Sequence, residues 1–271
     1  MRPMDIMERV RDRRVSTVLT AAGAIAVGTC VLWLSASPFL YATHVKSGAV
    51  AGNRSAGMEN VGTLGEVDRG PRGKNEIALT FDGGAEAECF DDLIAALANA
   101  HASSTFFITG RFVHDHSDCA AEITKHGHEV GNHTWSHLDL TQQPDDVVRD
   151  EIMRTERAIA QASGQSPRPR WRAPYGAQDK RVLKIAASLG YRSIYWTFDS
   201  LDGVEPAKSS QFLIDRITSR SDAELDGAII LMHLGVRSTA DALPAIIANL
   251  QARGFHLVTV SKLLEPVPKA P

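Results

Sequence analysis

From Asn75 onward, short runs of β-branched and aromatic residues alternate with longer stretches of helical periodicity. The pattern predicts strands at IALTF (77–81), STFFIT (104–109), HEVGNH (128–133), RWRAPY (170–175), SIYWTF (193–198), AIILMH (228–233) and HLVTV (256–260). Helices are predicted around 87–100, 116–126, 144–163, 179–189, 209–219 and 239–252. Strands that are apolar almost throughout, each followed by a helix, indicate a parallel sheet covered by helices. The predicted class is therefore α/β, a distorted (β/α) barrel of about seven parallel strands, with its chemistry at the C-terminal strand ends.

The chain upstream reads differently. Residues 1–14 carry Arg2, Arg9, Arg11, Arg13 and Arg14 against Asp5, Glu8 and Asp12. No charged residue follows until Lys46, and 15–42 is long enough to cross a bilayer, which takes about 20 apolar residues. The basic flank stays inside. The expected order is a cytoplasmic segment (1–14), one N-terminal transmembrane helix (15–42), a Gly/Ser/Ala-rich flexible stalk (43–73) and an extracytoplasmic domain (74–265). Cleavage of a signal peptide near Ser35, Ser37 or Ala42 is the alternative. The net charge of −3 gives no broad basic surface and argues against a nucleic-acid partner. Of the three cysteines, Cys30 falls in the apolar run, and Cys89 and Cys119 leave one disulfide open.

Polar residues gather at the predicted strand ends. Asp82 follows IALTF, His133 and His137 follow the third strand, and Arg172 and Tyr175 close the fourth. Asp199 and Asp202 follow SIYWTF, and His233 ends the very apolar AIILMH. Each has a plain reading: Asp-Gly-Gly is a common turn, Arg172 a surface cation, His233 a core histidine. Two histidines four apart on a helical turn can share one divalent ion, but the glutamate of a HExxH peptidase is absent. Glu129 follows His128, yet the next histidine lies five residues beyond His128, so no such motif forms there. Five strand ends carrying reactive side chains together point to a site.

TFDGG (80–84), HTWSH (133–137), RAPY (172–175), DSLD (199–202) and IILMH (229–233) occur in that order. Over about residues 74–265 the chain thereby resembles the polysaccharide deacetylase (NodB-homology) family, carbohydrate esterase family 4. The resemblance implies that Asp82 is the general base and that Arg172 pairs with it. It implies that His133 and His137 bind a divalent metal, zinc first, with cobalt, nickel or manganese as alternatives. Tyr175 supplies a backbone donor to the oxyanion, Leu231 lines the acetyl-methyl pocket, and His233 is the general acid oriented by Asp202 rather than Asp199. The implied activity is removal of N-acetyl groups from an N-acetylglucosamine-containing glycan. O-deacetylation and a glycan-binding role with a degraded metal site are the alternatives. Two positions depart from the family. Gly83 stands where a second aspartate completes the metal ligands, leaving Asp82, Glu86, Glu88 or water as substitutes. Gly203 stands where an aromatic residue is usual, which opens the pocket wall.

Overall fold

Every residue of β1 (Glu76–Gly83) is buried, and the two faces of this strand organise the rest. Successive side chains of a strand leave on opposite sides. Ile77, Leu79 and Phe81 pack among the helices, whereas Ala78, Thr80 and Asp82 face the inside of the sheet's curl. The computed structural model describes residues 65–266. In it β1 is flanked by β2 (Thr105–Ile108), β3 (Glu129–Asn132), β4 (Arg170–Trp171) and β5 (Arg192–Ser193) on one side. On the other side stand β7 (Ile229–His233) and β6 (Phe198–Asp199), and β8 (His256–Leu257) pairs with the start of β1. All strand pairs are parallel, in the order β5-β4-β3-β2-β1-β7-β6, an open, curled half-barrel.

The helices are α1 (Phe90–Asn99), α2 (Gly110–Asp115), α3 (Ser117–Lys125), α4 (Asp145–Ser163), α5 (Lys180–Ser188), α6 (Ser210–Thr218), α7 (Asp222–Leu225), α8 (Arg237–Ala252) and α9 (Val260–Leu263). Their starts are chemically marked: Thr109, Asp179 and Ser209 each accept a hydrogen bond from the backbone N–H three residues on. The apolar faces of α1, α2, α3, α6 and α8 form one core against the outer face of the sheet; α4 and α5 form a second around Trp171. A third, smaller cluster fills the inside of the curl with Ala78, Phe107, Ile194, Ile229, Val260 and Leu263.

The stretch 193–198, expected as one strand, is two. Pairing with β4 stops at Ser193, and pairing with β7 begins at Phe198, on opposite edges of the sheet. The reason is that the carbonyls of Ile194 and Tyr195 accept hydrogen bonds from the Arg172 guanidinium, both at 3.0 Å, instead of extending a ladder. Described contacts also lie upstream of residue 74. Val67 is buried and bridges Ile194 in parallel, while Arg69 bridges Ala228 antiparallel. The expected basic segment, the transmembrane helix (15–42) and most of the stalk lie outside the described residues. Among the described residues, no helix is long and apolar enough to cross a membrane.

Candidate active site

Strand alternation places Asp82 at the C-terminal end of β1, pointing inward. The strands beside it bring the other groups: His133 follows β3, Arg172 follows β4, and His233 closes β7 in register with Asp82. Arg172 is fully buried and all three of its side-chain nitrogens donate. Nη1 donates to Asp82 Oδ1 at 2.7 Å and Thr80 Oγ1 at 2.9 Å, and Nε and Nη2 take the two seam carbonyls. Burial alone would raise the Asp82 carboxyl, but the charge of Arg172, then that of His233 and the hydrogen bond from Arg172, outweigh it and hold Asp82 below its ordinary value. The Asp82 carboxylate is therefore ionised at neutral pH. Thr80, whose hydroxyl donates onward to the Ile230 carbonyl, belongs to this support and carries no sequence signal.

His133 Nδ1–H donates to the Arg172 carbonyl at 2.9 Å, which turns Nε2 toward Asp82 Oδ2 at 3.6 Å. His137 lies beside it, with ring centroids 4.9 Å apart, and the Tyr175 ring packs edge-on against His137 at 4.6 Å. Burial lowers both imidazoles, His137 to about 3, so both are neutral and present lone pairs. Tyr175 is 64% exposed and sits at φ 60°, a conformation that L-residues seldom adopt outside functional sites. Thr134, His137 and Leu201 share this left-handed backbone, so three of the motif loops carry it.

Across the cleft, Asp202 Oδ1 accepts from His233 Nδ1–H at 2.7 Å while Oδ2 accepts from the His233 backbone N–H at 2.7 Å. Burial alone would lower His233, but the bond to Asp202 and the charges of Asp202, Asp82 and Asp199 raise it to about 9. His233 therefore holds a proton at neutral pH. Asp199 instead accepts from the Leu201 N–H at 2.7 Å, and burial raises its carboxyl. Leu231 is buried one alternation below His233, on the same face of β7. Cys89 and Cys119 carry free thiols, so the disulfide left open by the sequence is not formed.

The metal expectation fits only in part. A catalytic zinc normally has three protein ligands and one open position. His133 and His137 supply two neutral imidazoles, but among the described residues no group of three His, Cys, Asp or Glu side chains is placed to hold an ion. Asp82 is committed to Arg172, and Glu86 and Glu88 are exposed on the loop beyond β1. Position 83 alternates to the helix side of the sheet: a Cβ there would meet Ile108 Cγ2 at 3.2 Å and Phe112 Cδ2 at 3.8 Å. The donor set thus stops at two imidazoles and does not make a complete catalytic metal centre.

Comparison with known proteins agrees with this geometry. The polysaccharide deacetylase family profile matches residues 69–194. A chitooligosaccharide deacetylase of Bradyrhizobium is 33% identical over 70% of this chain and 91% of its own length. Among solved structures, a peptidoglycan N-acetylglucosamine deacetylase superposes with a TM-score of 0.68 at 28% identity, covering 77% of this chain and 96% of that one. A family 4 pseudoenzyme from Bacillus anthracis superposes with a TM-score of 0.69 at 29% identity, over 75% of this chain and 70% of that one. A mutant of that pseudoenzyme is described as having restored enzymatic activity. The motif residues converge on one cleft and the similarity spans nearly all of the chitooligosaccharide enzyme, so this chain belongs to the polysaccharide deacetylase family of hydrolases, carbohydrate esterase family 4.

Proposed function

We propose that this protein removes N-acetyl groups from an N-acetylglucosamine-containing glycan of the cell envelope, held at the outer side of the membrane by residues 15–42. The observation that carries the chemistry is the pairing of opposite protonation states across one cleft: Asp82 ionised against Arg172, His233 protonated against Asp202. Amide hydrolysis needs both. Asp82 takes a proton from the attacking water as its oxygen bonds to the acetyl carbonyl carbon. The tetrahedral oxyanion is stabilised by a donor at the Tyr175 turn, an effect worth roughly 3–4 kcal/mol in enzymes where one such donor has been removed. The carbon–nitrogen bond then breaks while His233 Nε2 delivers its proton to the departing nitrogen, leaving acetate and a free amine. In this reading Leu231, buried beneath His233, lines the pocket for the acetyl methyl. The amide of a chitooligosaccharide or of peptidoglycan fits this chemistry, and an O-acetyl ester would use the same groups.

A second reading, a glycan-binding protein that has lost turnover, is favoured by one observation: among the described residues no third His, Cys, Asp or Glu joins His133 and His137 to hold an ion. Metal dependence through His133 and His137 is part of the proposal only as weak, exchangeable binding of zinc or a similar ion. Acetate release from chitooligosaccharides and peptidoglycan by the full chain in detergent, before and after chelation, separates the readings. Turnover that Asp82→Asn and His233→Ala abolish supports the deacetylase. No acetate from wild type, with or without added zinc, from a folded chain that still binds chitooligosaccharide supports the binding protein.

A further inference from the structure

Thr239 stands in the first turn of α8, is 1% exposed, and has no assigned role in the site. Its hydroxyl donates to Asp202 Oδ2 at 2.5 Å, 37 residues away in sequence. Two threonines inside other helices spend that hydroxyl locally: Thr155 donates to the Glu151 carbonyl and Thr218 to the Ile214 carbonyl, each four residues back. For Thr239 the residue four back is Gly235, in the turn before α8, and the hydroxyl points instead into the cleft wall. Asp202 is completely enclosed, with its side chain at 0% exposure. Its carboxylate accepts three hydrogen bonds: two from His233, through Nδ1–H and the backbone N–H, and one from Thr239.

We infer that Thr239 is a positioning residue for the proton donor, acting through Asp202. The two bonds from His233 leave the Asp202 plane tied to the same residue it must orient. Only Thr239 anchors that carboxylate to a separate element, so α8 fixes the plane in which Oδ1 meets the His233 ring. Removing the hydroxyl leaves Oδ2 with one fewer donor in a place that water does not reach, and the carboxylate relaxes about its own axis. The imidazole then loses its fixed line toward the leaving nitrogen. The glycan does not contact Thr239, so the loss falls on kcat and not on KM. This inference rests on the deacetylase reading for its kinetic consequence, but its structural part does not.

The test uses the full chain as wild type, Thr239→Val and Thr239→Ser, with two readouts: the proton NMR resonance of His233 Nδ1–H and acetate-release kinetics. Valine keeps the shape and removes the hydroxyl; serine keeps the hydroxyl. In Thr239→Val the resonance moves upfield and broadens, and kcat falls roughly tenfold with KM within about twofold, the scale of one charge-assisted hydrogen bond. Thr239→Ser restores both. An unchanged resonance in a folded Thr239→Val protein, or a changed resonance with wild-type kcat, overturns the inference. So does a loss of kcat that serine does not rescue. If Thr239→Val fails to fold, Thr239→Ala takes its place with the same expectations. If wild type releases no acetate, the deacetylase reading fails, and the resonance alone decides whether Thr239 holds the pair.

Discussion

A Cβ at position 203 would stand 2.8 Å from Cε1 and 2.9 Å from Nδ1 of His233, so that imidazole lies directly against the backbone there. The sequence suggested that Gly203 opens the pocket wall; instead the ring of His233 packs where a side chain would begin. Gly203→Ala should push the ring off Asp202 and lower kcat by about tenfold or more, because a bond to an ionised partner is broken. Acetate release by a variant whose circular dichroism matches wild type measures this, and undiminished turnover would show that the ring yields without cost. Membership of the site was legible where a motif names the residue: Asp82, His133, His137, Arg172, Asp202 and His233 all stand around one cleft. Thr80 and Thr239 were not legible. Threonine in a strand or a helix is ordinary, and only the fold shows whose lone pair its hydroxyl meets.

His128 enters β3 from the side opposite the cleft, and its environment has a measurable cost. It is 5% exposed, its ring lies 5.6 Å from Phe106, and neither ring nitrogen has a partner among the described residues. Burial, helped by the charge of His126, pushes it down to about 4. The sign follows: a folded value below the unfolded 6.5 means that the unfolded chain takes the proton first as pH falls. Stability is therefore lost from about 6.5 down to about 4. His128→Leu should remove that loss, on the order of 2 kcal/mol at pH 5 relative to pH 8. Denaturant unfolding at the two pH values checks it, and an equal difference between variant and wild type at both would exclude His128 as the source. Among elements, the longer helices were legible because their apolar periods run for ten residues or more; α4 was read as 144–163 and spans Asp145–Ser163. The short helices α2, α7 and α9 have too few turns to show a period. At α2 the apolar run TFFIT also continues smoothly into Thr109, which is already the helix cap.

At the scale of the molecule, the class of sheet was legible from alternation, but its seam was not. The break there depends on Arg172 taking the Ile194 and Tyr195 carbonyls beyond the neighbouring strand, a choice that no local pattern encodes. The same guanidinium reaches Asp82 on β1, so the residue that interrupts the predicted strand also holds that carboxylate ionised. The two halves of the cleft then define a pH window. Asp82 stays ionised down to below its ordinary value, and His233 stays protonated up to about 9. Turnover needs both states, so it should persist across neutral pH and fall above about 9 as His233 loses its proton. The stability contributed by the His233–Asp202 pair runs in the same direction: complete below 6.5, it fades as pH rises to about 9. Asp202→Asn removes the bond that most raises His233, while burial continues to lower it. The alkaline limb of kcat should then move toward or below 6.5, leaving little turnover at pH 8 even where some survives at pH 6. A kcat–pH profile of wild type beside Asp202→Asn measures the displacement. An alkaline limb that stays at the wild-type position would mean that some group other than His233 carries the proton to the leaving nitrogen.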